Sequence, residues 1–271
     1  MTPLALIAAT WAFAIGDGNL AGGREAVGDR LDRFDLVVID GEEASRAEVA
    51  ELHERDVTVL AYLSVGTIER WRGWYDRVKR FRLSAWQDWK DEWFADVSKP
   101  RLRRIVARGI APRILAKGFD GLFLDNVDMI EPRRHREQRA GMRKVVGRLA
   151  RLTHRQGDLL FAQNGFWGLR KFGIRRFLDG WNREDVTWAF DFDRRRYVRN
   201  SDRQIQEALS ELARMRSLGL FTTATSYTKR AAGPAVEESV DDACSVEALP
   251  YVASIGLTAR RLPNPALSCP G

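Results

Sequence analysis

The chain has 271 residues and carries 44 Lys and Arg against 37 Asp and Glu, which gives a net charge of +7 at pH 7. Hydrophobic residues make up 45% and aromatic residues 10% of the sequence, which excludes a disordered or fibrous protein. No apolar stretch reaches the roughly 20 residues that a membrane-spanning helix needs. Because α/β barrels of about 250 residues form single domains, we expect one domain over residues 1–271.

The N-terminal segment is apolar from Leu4 to Ile15, but no Lys or Arg precedes it as in a signal peptide. We interpret Ala5–Ile15 as the first strand and leave open that residues 1–10 include the remnant of a leader. Residues 263–271 follow the last predicted strand and are expected to form a C-terminal tail.

Short apolar runs alternate with helical patterns along the rest of the chain. The eight predicted strands are Ala5–Ile15, Leu36–Asp40, Val57–Val65, Gly121–Asp125, Leu159–Gln163, Phe177–Asn182, Leu220–Ser226 and Tyr251–Ile255. Ser45 with Glu48, and Ser201 with Gln204, form capping boxes that mark the beginnings of two helices. This alternation predicts an α/β fold with a parallel sheet, and eight repeats predict a single (β/α)8 TIM barrel.

Arginine is dense in residues 132–155, which raises the question of a nucleic-acid partner. Met142, Val145 and Leu149 recur there at helical spacing, so the arginines are expected on the solvent side of an amphipathic helix. Elsewhere the basic residues are interleaved with acidic ones, and no zinc-finger or RNP-like motif occurs. We therefore expect no nucleic-acid partner and no membrane span. The sequence is compatible with a monomer but leaves the oligomeric state open.

The two cysteines, Cys244 and Cys269, both lie near the C-terminus. They are either a disulfide between the tail and the preceding helix, which would indicate an oxidising compartment, or two unrelated thiols. On the first alternative we expect a secreted or periplasmic protein rather than a cytoplasmic one. The three histidines have no Cys or carboxylate neighbours at ligand spacing, so we expect no metal site.

A glycine-rich segment after the first strand imitates a dinucleotide fingerprint. Gly16–Ala21 matches G-x-G-x-x-A, and Asp40 ends the next predicted strand. Gly22 and Gly23 follow at once, and two glycines would cost the phosphate-binding helix about 2 kcal/mol. We therefore favour a glycine-rich loop and expect no cofactor. A dinucleotide-dependent enzyme remains the third functional hypothesis.

Two predicted strands carry the same short pattern. Asp120-Gly121 and Asp179-Gly180 each precede an acid by the same offset, which brings Asp125 and Glu184 to corresponding positions. The fourth and sixth strands of a barrel share side-chain layers, and barrel enzymes keep their active sites at the carboxyl ends of the strands. The alternative is a purely structural role, in which Asp125 caps the next helix and Glu184 is a solvated loop charge. Two acids in matching positions favour a functional interpretation.

A pair of carboxylates suits the hydrolysis of a glycosidic bond. One carboxylate attacks or stabilises the anomeric carbon while the other protonates the leaving oxygen. A separation of about 5–5.5 Å predicts retention of configuration, and about 6.5–9.5 Å predicts inversion. Tryptophan faces stack well on sugar rings, and Trp71, Trp74 and Trp181 are predicted near the mouth. Trp86, Trp89 and Trp93 are expected to pack a loop or helix over the barrel.

At these residues the sequence resembles glycoside hydrolase family 114, the endo-α-1,4-polygalactosaminidase-like proteins. The blocks that carry the resemblance are Tyr62–Gly66, Trp93–Ser98, Gly118–Asp128 and Asn164-Gly165, with support from Asp35–Asp40 and Pro250–Val252. The resemblance implies a (β/α)8 barrel of a mostly bacterial or fungal and often exported family, which cleaves α-1,4-linked galactosamine polymers with retention. It also implies that Asp125 is the nucleophile and Glu184 the acid/base, the pair that the strand pattern indicates independently.

The chain departs from the family pattern at several pocket positions. Thr67 stands where the family commonly has Glu, although Glu69 is kept, and Gln163 replaces the first of two asparagines. The expected substrate contacts are Asp40, Asp96, Asn126, Asp128, Asn164, Trp181 and Tyr227. The departures make a non-catalytic carbohydrate-binding barrel the second hypothesis. A net charge of +7 would also repel a polycationic galactosamine chain, so either the mouth is locally acidic or the substrate is acetylated.

Overall fold

The structure, a computed structural model, describes residues 10–16, 19–257 and 267–269. Three predicted features lie wholly or partly outside the described residues. They are the possible leader remnant in residues 1–10, of which only Thr10 is described, Asp17 and Gly18 of the glycine-rich segment, and most of the tail in residues 263–271. Within the described part, no helix is long and apolar enough to cross a membrane.

Eight strands follow one another in chain order within one sheet, which confirms the predicted (β/α)8 fold. They are β1 (Trp11–Ala14), β2 (Leu36–Asp40), β3 (Thr58–Ser64), β7 (Gly121–Asp125), β8 (Leu159–Gln163), β9 (Gly180–Arg183), β12 (Phe221–Tyr227) and β13 (Leu249–Ala253). Each coincides with a predicted strand within a few residues. Among the predicted strands that lie wholly within the described residues, the largest difference is at β9, where a 3-10 turn, Arg175–Phe177, occupies the predicted beginning of the strand.

Helices follow the strands as the periodicity predicts. They are α1 (Gly23–Leu31), α2 (Arg46–His53), α3 (Tyr75–Val78), α4 (Pro100–Ile105), α5 (Ala111–Leu115), α6 (Arg139–His154), α7 (Phe166–Lys171), α8 (Asp202–Ser217) and α9 (Pro234–Ser245). Both predicted capping boxes are present: the Ser45 and Ser201 side chains accept from the backbone of Glu48 and Gln204, whose side chains accept in return.

The chain divides into two compact units, and the prediction of one domain over the whole length stays a prediction. The first unit comprises residues 1–60 and 179–271. Its core includes β1 and β2, which are buried along their whole length, as expected for strands of a parallel sheet covered on both faces. The first and last strands are neighbours, because Trp11 Nε1 donates to the Leu249 carbonyl at 2.8 Å and the Trp11 ring packs on Tyr251.

The second unit comprises residues 61–178. Its centre is the parallel pair β7 and β8, in which Leu122, Phe123, Leu160 and Phe161 are at most 1% exposed. Helix α6 covers this pair with the apolar face that the sequence predicts, since Met142, Val145 and Leu149 are buried. The core of this unit therefore lies between the β7–β8 pair and the helices.

Two small antiparallel sheets interrupt the regular alternation, and the sequence analysis missed both. One contains β4 (Thr67–Glu69), β5 (Arg82–Ala85) and β6 (Glu92–Ala95), and the other contains β10 (Trp188–Asp191) and β11 (Arg196–Arg199). The expectation for Trp86, Trp89 and Trp93 is corrected accordingly: Trp93 lies on β6, Trp86 stacks on Phe94 of the same strand, and Trp89 is 40% exposed. The strands are too short for alternation to reveal them.

The helix that begins at Pro100 changes its hydrogen-bond pattern just before Pro112. A π-helical segment, Val106–Ile110, joins α4 to α5, and the Ala111 N–H donates to the Val106 carbonyl. Proline has no N–H with which to bond the carbonyl of Arg108, four residues earlier, so a widened turn before it relieves the clash. The helix continues through the proline instead of ending there.

Candidate active site

The two Asp-Gly pairs occupy equivalent places in the sheet. The Asp120 carbonyl accepts from Leu159 N at 2.8 Å, and the Asp179 carbonyl accepts from Phe221 N at 2.9 Å. Each pair therefore joins its strand to the first residues of the next strand. At Gly121, φ is 155° and a Cβ would lie 2.1 Å from the Leu159 carbonyl oxygen, so the register requires glycine. Asp125 ends β7, and Glu184 directly follows β9.

The Asp125 carboxylate is held by donors from three directions. Tyr62 Oη donates to Oδ2 at 2.7 Å, Gln163 Nε2 donates to Oδ1 at 3.2 Å, and Asn126 N donates to Oδ1 at 2.6 Å. Burial raises the pKa of Asp125, and these hydrogen bonds act against that rise because they favour the charged form. The carboxylate is nevertheless partly exposed, so it is both fixed and accessible.

Asn126 fixes the floor beneath Asp125. Its backbone is left-handed, with φ at 59°, and its side-chain amide donates to Ser64 Oγ at 3.0 Å and Asp125 Oδ2 at 3.2 Å. Its carbonyl oxygen would lie 1.8 Å from a Cβ at Gly66, so this close approach requires glycine there. Asn126 is 5% exposed, and its amide is used to position Asp125. Asn126 therefore positions Asp125, and its predicted sugar contact stays a prediction.

A buried polar cluster lies beside Asp125 in the same unit. Glu69 pairs with Arg72 at 2.7 Å, and Thr67, which bonds Ser64 at 2.5 Å, makes a short hydrogen bond to Glu92. Glu92 is 5% exposed, and its burial, reinforced by the charge of Glu69, raises its pKa to about 8. Burial, followed by the charge of Asp125, also raises the pKa of Tyr62 well above its usual value. At neutral pH Tyr62 and Glu92 are therefore protonated, while Glu69 has a cationic partner.

Glu184 lies in the other unit with a different set of neighbours. It is partly exposed and accepts a short hydrogen bond from the hydroxyl of Tyr227, the last residue of β12. The preceding Arg183 pairs with Glu211 at 3.0 Å, and the following Asp185 has a left-handed backbone with φ at 53°. Tyr227 is 3% exposed, so its hydroxyl contacts Glu184 from the buried side. Its predicted sugar contact stays untested.

The remaining predicted polar contacts divide into two groups. Asp40 Oδ1 accepts from Glu42 N at 2.9 Å and Glu43 N at 3.0 Å, so it stabilises the turn after β2. Asp96 accepts a short hydrogen bond from Ser98 and lies 3.5 Å from Lys99 Nζ, which fixes the chain entering α4. Both carboxylates therefore have structural roles.

Asp128 and Asn164 are partly exposed, as is Asp96, and the predicted sugar contacts of all these residues stay predictions. A Cβ on Gly165, which directly follows Asn164, would lie 3.2 Å from the Asp128 Cα, so the loops after β7 and β8 approach each other closely here. Asn164 itself is left-handed, with φ at 54°. Left-handed residues outside glycine are uncommon and cluster at functional sites.

The prediction that Trp181 contacts sugar is wrong. Trp181 is 0% exposed and lies on β9 opposite Thr222 of β12, so it fills the core of its unit. By contrast, Trp71 is 53% and Trp167 is 56% exposed. The glycine-rich segment also departs from a dinucleotide site, because helix α1 begins only at Gly23 after a left-handed Gly22.

The sequence analysis missed the side chains that position the carboxylates. Tyr62 and Gln163 were visible only as parts of the resemblance, and Glu92 lies on a strand that was not predicted. The signal for Gln163 is its place at the end of β8, one strand along from Asp125. Within the described ranges, no group of three or more His, Cys, Asp or Glu is arranged to hold a metal ion.

The fold is that of (β/α)8 glycoside hydrolases. The glycoside hydrolase domain of PelA from Pseudomonas aeruginosa matches with a TM-score of 0.76 at 21% identity, covering 92% of this chain and 96% of that one. Ega3 from Aspergillus fumigatus, solved in complex with galactosamine, matches with a TM-score of 0.72 at 17% identity, covering 96% and 95%. An α-galactosidase from Thermus thermophilus matches with a TM-score of 0.60 at 12% identity, covering 90% and 57%.

The sequence itself identifies the family within this class. The profile of glycoside hydrolase family GH114 matches residues 3–175, so the chain belongs to this family and is a glycoside hydrolase. No curated protein matches it in sequence. The profile match includes Asp125 and its donors but ends before Glu184, so the role of Glu184 depends on the strand pattern and its own surroundings.

Proposed function

We propose that the protein hydrolyses an α-linked polysaccharide that contains amino sugars, with retention of configuration, and that Asp125 is the nucleophile and Glu184 the acid/base. The observation that carries the proposal is the surroundings of Asp125. The Nε2 group of Gln163 and the backbone N–H of Asn126 both donate to Oδ1, so they favour an ionised, correctly oriented carboxylate. An ionised and partly exposed carboxylate at a strand end is what nucleophilic attack requires.

The proposed reaction has two steps. An Asp125 oxygen forms a bond to the anomeric carbon while the glycosidic C–O bond breaks, and the leaving oxygen takes the proton of Glu184. A water molecule then gives a proton to the Glu184 carboxylate, and the oxygen of that water displaces Asp125 from the anomeric carbon. Two inversions give net retention. Glu184 thus alternates between protonated and ionised forms, whereas Asp125 is never required to bind a proton.

Charge in the second unit supports an amino-sugar substrate. Asp125 and the buried Glu69 lie near one buried cation, Arg72, while Glu92 is protonated at neutral pH, so two carboxylates face one cation. An ammonium group on a sugar would be attracted to such surroundings. This local attraction opposes the long-range repulsion expected from a net charge of +7. The galactosamine found with Ega3 is consistent with the same substrate class. Asp128 and Asn164 are the proposed sugar contacts beside Asp125.

Two variants and a small nucleophile test the roles separately. The substrates are poly-α-1,4-galactosamine, its N-acetylated form and an α-aryl glycoside of the same sugar. With Asp125→Asn, azide can take the place of the missing carboxylate and give the inverted β-azide. With Glu184→Gln, azide attacks the covalent intermediate and gives the retained α-azide, because it needs no base.

The matched control is Asp96→Asn, a change of the same type at a carboxylate that stabilises a loop. We expect it to keep most of the activity on the better polymer. Full reducing-end release by either Asp125→Asn or Glu184→Gln would overturn the assignment. Binding of polymer by wild-type protein without turnover would instead favour the carbohydrate-binding alternative.

We also propose that the protein works outside the cytoplasm. Cys244 and Cys269 form a disulfide with Cα atoms 5.4 Å apart, which supports the first of the two alternatives for these residues. Disulfides persist in oxidising compartments and are rare in the cytosol.

A further inference from the structure

The positive charge of the chain is concentrated in two helical segments of the second unit. Residues 100–118 contain six basic residues and no acidic residue, and residues 139–155 again contain six and none. The rest of the chain has 32 basic and 37 acidic residues, a balance of −5. The net charge of +7 is therefore the property of one small region, and the expectation that basic residues are interleaved with acidic ones holds only outside it.

The two segments pack against each other and leave a cavity between them. Helix α4 and the π-helical segment that follows it contact α6. The cavity measures about 490 Å³ and is lined by Arg108, Arg148, Arg151 and Arg155, with Ala107, Pro112 and Leu152. We call it the arginine pocket. Its volume lies in the range of small-ligand sites, about 300–1,000 Å³.

The four arginines of the pocket make no ion pair with an acidic residue anywhere in the described ranges. Some arginines elsewhere are paired: Arg55 binds Glu51, Asp29 and Asp32, and Arg199 binds Asp202 and Glu238. The like charges act on one another, because burial and then the charge of Arg148 lower the pKa of Arg103 on α4. A concave site with four cations and no counter-charge is electrostatically incomplete.

The pocket is separate from the strand ends that carry the candidate active site. Arg151 and Arg155 lie at the C-terminal end of α6, and the chain enters the beginning of β8 only a few residues later. Asp125 lies at the opposite, carboxyl end of the parallel pair β7 and β8. A ligand in the pocket would therefore not be the sugar that reacts at Asp125.

We propose that the arginine pocket binds a compact oligophosphate, a group of two or more linked or neighbouring phosphates. Guanidinium groups chelate phosphate oxygens through paired N–H donors, and four of them present more donors than the two oxygens of a single carboxylate accept. Arg108 and the arginines of α6 border the cavity from two elements, so they can contact different phosphates of one ligand. A free oligophosphate and the phosphorylated headgroup of a lipid share this chemistry.

Calorimetry on the full chain at fixed ionic strength tests the proposal with tripolyphosphate, pyrophosphate and orthophosphate as probes. We expect one tripolyphosphate site that binds at least about tenfold more tightly than orthophosphate. The double change Arg148→Ala and Arg151→Ala should weaken it about tenfold or more, and Arg108→Ala should weaken it from the other side of the pocket. Arg143→Ala is the matched control, since Arg143 lies on the same helix, is exposed and does not line the pocket.

Sedimentation with phosphatidylcholine vesicles, with and without a phosphatidylinositol bisphosphate, distinguishes the two sources. Retention only on the phosphorylated vesicles, lost in the double variant, would identify a lipid headgroup as the source. Equal weakening by Arg143→Ala, equal binding of orthophosphate and tripolyphosphate, or tighter binding of single-stranded DNA would each overturn the proposal. Glycoside hydrolysis should be unchanged in all these variants, so this proposal and the proposed catalytic function fail independently.

Discussion

Asp125 and Glu184 occupy the same backbone position in two different surroundings. Each lies at the end of a strand that begins with Asp-Gly, and in each case the Asp carbonyl accepts from the next strand. Asp125 accepts from the Nε2 group of Gln163, the backbone N–H of Asn126 and the Tyr62 hydroxyl. Glu184 accepts from the Tyr227 hydroxyl. The comparison teaches that the same strand position is combined with different neighbours, and the N–H donors at Asp125 favour its ionised form.

The largest expected effect is that of Asp125→Asn. We expect kcat on polymer to fall by about 10⁴-fold or more, because the nucleophile is lost while binding remains. The amide introduced at position 125 would also place its own N–H groups against the donors that bond Asp125, so the free energy of unfolding in urea should fall by about 1–3 kcal/mol. A variant that is inactive but as stable as wild type would contradict the stabilising role of the hydrogen bonds that Asp125 accepts.

The next effect is that of Glu184→Gln. Loss of general acid catalysis should lower kcat on polymer by about 10²–10⁴-fold. An aryl glycoside with a good leaving group should recover most of the rate of the first step, since that oxygen needs no proton. The Asp125 variant should show no such recovery. Equal behaviour of the two variants on the aryl substrate would erase the distinction between the carboxylates.

Two tyrosine variants compare the neighbours directly. Tyr62→Phe removes a bond that lowers the pKa of Asp125, so that pKa rises and the acidic limb of kcat/KM moves to higher pH. We expect this shift with a rate loss of about tenfold at neutral pH. Tyr227→Phe serves as the matched control: it should lower the rate by a similar factor and leave the acidic limb in place. A shift of that limb in both variants would break the comparison.

The smallest effect concerns stability around Glu92. Its pKa of about 8 lies above the value in an unfolded chain, so the folded state binds more protons between roughly pH 4.5 and 8. Stability should therefore fall as pH rises through this window, by a few kcal/mol at most. Glu92→Gln should flatten this dependence in thermal or urea unfolding from pH 5 to 8. Glu42→Gln is a suitable control, and an unchanged slope in Glu92→Gln would contradict burial of a protonated acid.

The regular part of the fold is predictable from the sequence because it repeats. Buried parallel strands are continuous apolar runs, and capping boxes such as Ser45 with Glu48 satisfy the first N–H groups of a helix locally. Strands β5 and β6 are not predictable in this way, because their bulged antiparallel pairing leaves no regular alternation of apolar and polar residues. Trp181 was misplaced because a tryptophan in a strand has the same local sequence whether it faces a core or a ligand.

The candidate site is predictable only in part, for a related physical reason. Asp125 stands out because its strand end can be read from the chain. Its donors come from other strands: Tyr62 on β3 and Gln163 on β8. Whether a donor points at a carboxylate depends on sheet register, which local sequence does not specify. The arginine pocket was hidden in the same way, since it forms only where residues 100–118 pack on α6.

The disulfide between Cys244 and Cys269 has a use beyond the structure. The chain contains two cysteines and both are in this bond, so the oxidised protein has no free thiol. A chain that has stayed in a reducing cytosol would instead react with two equivalents of a thiol label under denaturing conditions. The thiol count of protein taken from its natural source therefore shows whether the chain has passed through an oxidising compartment.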